Sequence, residues 1–225
     1  MTIRVSDLSA ASAGLRAVLS ALLPSAASGN TAAGADLRRR IGALSAGAES
    51  AIKTANLGDA LLGCFEAAVV AGATLATLRP VLNLIEAQQP GNRSAQIVQQ
   101  ACLRMALVAM ARCYASVPLQ SRTDVDAYLA DVNGTFGRAE DVAADTAAPD
   151  VYRSLVALHA AVALDLQTRG QPLPRMVAYE FVDRRPSLWI ANRLYADGDR
   201  EEELRLENAP VHPLFLPQTG RALAQ

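Results

Sequence analysis

The chain has 225 residues, 51% of them hydrophobic but only 4% aromatic, and a formal net charge of −1 from 21 basic and 22 acidic side chains. That length allows one sizeable core, or one core and a small satellite module. The even charge balance argues against general nucleic-acid binding, which draws its affinity from phosphate neutralisation.

The apolar mass is mostly alanine, leucine and valine, and alanine and leucine are the strongest helix formers, so packed helices are expected. Ser6 is a suitable N-cap for a first helix whose Leu8, Leu15, Val18, Leu19 and Leu22 form a stripe, with Pro24 ending it. Ser25 to Gly34 (SAASGNTAAG) reads as a flexible connection. Asp36 opens a second helix with Leu37, Ile41, Leu44 and Ile52 on one face, its three arginines at 38 to 40 spread around the helix as a solvated face.

A third helix is expected from Asp59 to Leu78, apolar on nearly all sides except at Glu66, with Pro80 kinking its continuation. QQPGN, Gln88 to Asn92, breaks the chain, and Ser94 caps the next helix to about Tyr114. After Val117-Pro118, Ser121 to Asp124 resembles a capping box opening a more polar helix with Val125, Leu129, Val132 and Phe136. Pro149 starts the last long helix, in which Val151, Leu155, Leu158, Val162 and Leu166 face the core.

QPLPR, Gln171 to Arg175, is the strongest boundary, because its two prolines oppose helix continuation. Composition then changes. Met176 to Val182 reads as a strand, Pro186 or Ser187 opens a short helix to about Tyr195, and Arg200 to Leu206 forms another. Asn208-Ala209-Pro210 closes that helix, and Arg221 to Leu223 suits a final strand. Trp189, the only tryptophan, with Leu194, Tyr195, Leu204 and Phe215, is expected to form the small core of this segment.

No residue pattern points to catalysis. His159 and His212 have no cysteine, histidine or carboxylate neighbour at metal-ligand spacing, and neither a nucleophile elbow nor a glycine-rich phosphate loop occurs. Cys64, Cys102 and Cys113 lie in apolar helical stretches and read as small buried hydrophobes. Glu66 is expected to be buried and to need an arginine, Arg104 or Arg112. Glu201 to Glu203 sit where a helix start favours negative charge. The start of the chain lacks a secretory pattern and the apolar run Ala67 to Leu78 is too short to span a bilayer, so a soluble protein without a membrane span is expected.

Two resemblances follow. Ser187-Leu188-Trp189, Ile190-Ala191, Asn208 and the proline-containing stretch Pro213 to Pro217 resemble a LysM-type module, which implies a strand–helix–helix–strand fold over 171–225 after an alanine-rich helical bundle over 1–170. More of the chain is similar to the C-terminal part of the Mu-like phage DNA circulation family. The similarity is carried by Arg169-Gly170 to Arg175, by RLYADGDREEEL at 193–204, and by Asn208, His212-Pro213, Phe215 and Pro217. Members of that family usually carry an additional N-terminal region, so the sequence reads as a short variant or a separate C-terminal piece.

The second resemblance implies a non-enzymatic structural protein of a contractile phage or prophage tail, found in the virion and in the host cytoplasm during assembly. It would associate with tail-tube or baseplate-hub subunits and form a homo-oligomer within the particle, with no cofactor. Arg184, Arg185, Arg193, Arg200, Glu201 and Glu202 are then the expected partner-docking charges, together with Glu203. Peptidoglycan binding by the LysM-like module, and protection or circularisation of DNA ends, stay open as alternatives; the charge balance does not support direct DNA contact.

Overall fold

The apolar stripe of the first helix becomes the spine of a helical bundle. In the computed structural model, which describes residues 4–25, 31–54, 56–146, 148–212 and 214–224, α1 covers Val5–Leu22 and buries Leu8, Ala11, Leu15, Val18, Leu19 and Leu22. It packs on α2 (Ala32–Ala46), α3 (Ala48–Lys53), α5 (Leu75–Ala87) and α6 (Arg93–Ser116), while α4 (Leu57–Val70) packs on α2 and α6. By length and composition Val5–Ser25 could cross a membrane, yet its leucine stripe is buried among these helices.

Local chemistry sets the helix ends. Thr31 caps α2 by accepting from the Gly34 N–H at 3.1 Å, so this helix begins ahead of Asp36. Residues 26–30 of the expected flexible connection lie outside the described residues. The single helix expected from Asp59 to Leu78 is two. Gly72, at φ 95°, takes the left-handed conformation that ends α4, and Thr74 with Thr77 forms the reciprocal capping box that starts α5. Pro80 then lies inside α5 on its exposed side. Asn92 rather than Ser94 caps α6, accepting from the Ala95 N–H at 2.8 Å.

The capping box at Ser121 is present. The Ser121 N–H donates to Asp124 at 2.9 Å and the Asp124 N–H donates to Ser121 Oγ at 3.2 Å, opening α7 (Arg122–Asp145). α8 runs from Pro149 to Gly170. The chain divides into two compact units, one of Met1–Val117 with Gly134–Val162, the other of Pro118–Asn133 with Ala163–Gln225. In the second unit the Arg122 guanidinium donates to the carbonyls of Leu173 and Gln171 at 2.9 and 2.8 Å, and the Arg122 N–H donates to that of Pro174. The QPLPR segment, which turns at residues 171–173 and whose prolines cannot donate, is held through its carbonyls.

Beyond it the order is β1 (Met176–Glu180), α9 (Ser187–Tyr195), α10 (Glu201–Asn208) and β2 (Thr219–Leu223), with a 3-10 turn at Gly198–Arg200. The strands pair antiparallel from Met176 opposite Leu223 to Glu180 opposite Thr219. The protein is thus mainly helical, with one small two-stranded sheet among the described residues near its C-terminus.

Candidate functional site

The small sheet and its two helices enclose a core of Tyr179, Ile190, Ala191, Tyr195, Leu204, Leu216 and Ala222. On α9 the buried positions are Ser187, Ile190, Ala191 and Tyr195, which leaves Leu188, Trp189 and Arg193 on the exposed side. Tyr195 and Leu204 therefore sit in the core as expected and Leu194 packs against it, but Trp189 is 44% exposed and Phe215 45% exposed. Leu216, fully buried, takes the place that Phe215 was expected to fill.

Asn208 joins the second helix to the sheet. Its Nδ2 donates to the carbonyls of Leu204 and Arg221, both at 2.8 Å, and its Oδ1 accepts from the Arg221 N–H at 2.7 Å. Two acceptors face the nitrogen and one donor faces the oxygen, so only this amide orientation satisfies all three. Next to it, Gly220 lets the strands close over Tyr179, because a Cβ there would collide with the Tyr179 phenol and with Asn208 Oδ1. The Tyr179 hydroxyl is buried without a hydrogen-bond partner among the described residues, and burial pushes its pKa up. Tyr195 Oη accepts from the Leu223 N–H at 3.1 Å; burial, with Glu203 beside it, pushes this phenol up to about 12.

The six expected docking charges fall into two groups. Arg200 lies over the Tyr195 ring at 3.7 Å and holds Glu203 by two bonds of 3.1 and 2.7 Å, which raise its pKa. Glu201 accepts from Ser187 Oγ, Glu202 pairs with Arg205 at 2.9 Å, and Arg185 pairs with Asp183 at 3.0 Å while covering the Trp189 ring at 5.3 Å. Arg184 and Arg193, both exposed, have no carboxylate in ion-pair range among the described residues.

A ladder of rings runs outward from the core. Tyr179 meets Phe181 at 5.5 Å, Phe181 meets Trp189 edge-on at 5.4 Å, and Arg185 ends the series. Residues 214–216 lie alongside 185–187, through bonds from the Ser187 N–H to the Leu214 carbonyl and from the Leu216 N–H to the Arg185 carbonyl. That pairing brings Leu214 and Phe215, both exposed, next to Pro186. Pro213, part of the LysM-like pattern, lies outside the described residues.

Glu66 does meet Arg112, at 3.0 Å, but its side chain is 49% exposed rather than buried, because α4 presents that position to solvent. His159 Nδ1 lies 2.9 Å from Glu140 and its ring stacks on the buried Phe136, a contact that sequence spacing did not suggest because the carboxylate is nineteen residues away. Burial raises all three thiols, Cys64 to about 11 and Cys102 to about 12. Among the described residues no cluster of His, Cys, Asp and Glu could hold a metal ion. Two cavities of the helical unit, about 440 Å³ beside Arg39, Arg40 and Asp59 and about 310 Å³ beside Glu86, Gln96 and Arg138, are open to solvent. Compared with protein-family models and with curated protein sequences, the chain matches none.

Proposed function

We propose that the chain is a non-enzymatic structural component of a contractile phage tail or tail-derived particle, at the baseplate or hub. In this reading its C-terminal unit is a LysM-like module that docks on tail-tube or hub subunits, and the helical bundle is the scaffold that carries it. The observation that carries the docking role is the distribution of exposed apolar side chains. Of sixteen large ones among the described residues, eight (Val177, Val182, Leu188, Trp189, Leu206, Val211, Leu214 and Phe215) fall between 177 and 215. A small unit that exposes so much apolar surface is suited to being covered. The strand–helix–helix–strand order and the Asn208 junction support the LysM-like assignment. Co-purification with assembled particles tests the reading: the chain should sediment with intact tails in stoichiometric amount, and its consistent absence from them refutes a structural role.

Exposed Trp189 favours one second reading, binding of cell-wall glycan by stacking of a sugar ring. Retention on purified peptidoglycan through raised salt supports it; passage through the matrix at low salt removes it.

A further inference from the structure

We propose that the surface centred on Trp189 binds an extended segment of a partner protein that carries an apolar side chain flanked by carboxylates. The inference deepens the docking role above and rests on it for the partner being a protein.

The apolar half of this recognition comes from the ring ladder. Trp189 stands at its outer end, held by Phe181 and Arg185, so its position is fixed before any partner arrives. Leu214 and Phe215 extend the apolar surface past Pro186. Tryptophan and arginine are both enriched where interfaces concentrate their binding energy.

The charged half comes from a mismatch in pairing. Arg185, Arg200 and Arg205 each have a carboxylate within 3.0 Å. Arg193, one helical turn beyond Trp189 and on the same side of α9, has none among the described residues, nor does Arg184 beside Arg185. Arg193 beside the indole, and Arg184 next to Arg185 in the chain, are thus cations without a carboxylate partner among the described residues, and carboxylates supplied from outside complement them. A basic segment would meet repulsion there. A pyranose is less well suited, because Arg185 already covers one face of the indole and Phe181 packs against it at 75°.

The test pans a displayed library of random twelve-residue peptides on the purified full chain, with depletion on the bare matrix, and compares the enriched peptides on the R184E/R193E variant. Enriched peptides are then titrated while Trp189 emission, the only indole signal in the chain, is followed. The inference expects enriched sequences that combine an aromatic or aliphatic residue with Asp or Glu. Binding should weaken at least about tenfold in R184E/R193E and return when the peptide acids become lysines. Neither arginine has a carboxylate partner among the described residues, so the variant should melt as the native chain does; a variant that loses its fold is replaced by R184Q/R193Q, for which the same loss of binding is expected. The inference is overturned by no enrichment, by enriched peptides without acids, or by equal binding to the variant. It is also overturned if the Trp189 response comes from a chitooligosaccharide or from raising the concentration of the chain alone. Sedimentation with tails is independent of this result, so either idea can fail without the other.

Discussion

The isosteric substitution Asn208→Asp gives the sharpest test of how the C-terminal unit is closed. Asn208 donates twice, to the Leu204 and Arg221 carbonyls, and accepts once from the Arg221 N–H. Aspartate keeps the acceptor and the shape but turns the donor into an oxygen facing two carbonyl oxygens. Each net hydrogen bond is worth about 0.5–1.5 kcal/mol, and removing a partner costs more where the group left behind is partly buried. Two lost bonds with oxygen–oxygen repulsion should therefore destabilise the unit by about 2–4 kcal/mol, roughly 30- to 1000-fold in its folding equilibrium. Urea unfolding of the full chain, read by Trp189 fluorescence, reports on this unit because Trp189 sits on α9. Repulsion raises the new carboxyl's folded-state pKa above the unfolded value of about 3.9. The electrostatic loss is then fully present above the raised value, shrinks as pH falls from that value to the unfolded one, and is gone below it. An unchanged urea midpoint at pH 7 would refute the junction, and a loss that does not shrink on acidification would refute the electrostatic part.

Tyr179→Phe should stabilise the same unit by up to about 1–2 kcal/mol, since it removes a buried hydroxyl without a partner; a lower urea midpoint would show that the hydroxyl is satisfied. Cys64, with its thiol raised from about 9 to about 11, holds about a hundredfold less thiolate than an exposed cysteine, and Cys102 still less. A thiol reagent at pH 8 should label the native chain slowly and the urea-unfolded chain at three sites within minutes; rapid native labelling would contradict the burial. Glu66→Gln should cost less than about 1 kcal/mol, because both partners of the Arg112 pair are half exposed. Leu61→Ala on the same helix should cost about 2–5 kcal/mol in thermal or urea unfolding. Similar losses for the two would mean that α4 faces the other way.

The sequence reading was most accurate where one short pattern dictates one conformation. The Ser121–Asp124 box, Pro149 at a helix start and the end of that helix ahead of QPLPR depend on neighbours within a few residues, and each appears in the fold. The division between α4 and α5 was also written locally, as Gly72 followed by Thr74, but the uninterrupted apolar run concealed it. Trp189 was misplaced for a different reason. It was expected in the small core, whereas the spacing of Ser187, Ala191 and Tyr195, four apart, with Ile190 already marked the buried side of α9 and put Trp189 on the other. The Asn208 junction and the Arg122 contacts join residues thirteen and about fifty apart, and nothing in the local pattern of either partner reveals them.

The bonds from Arg122 to the carbonyls of residues 171–174 also bear on how such a chain can be recombined. The unit that holds the sheet is built from 118–133 and 163–225, with 134–162 of the other unit threaded between them. A single crossover at the proline-rich boundary would hand a recipient the strands, α9 and α10 while leaving Arg122 behind with the donor. Inheritance of the tail piece in working order would require α7 and α8 to travel with it, so exchange between relatives should favour breakpoints upstream of Pro118 over the more conspicuous one at Gln171.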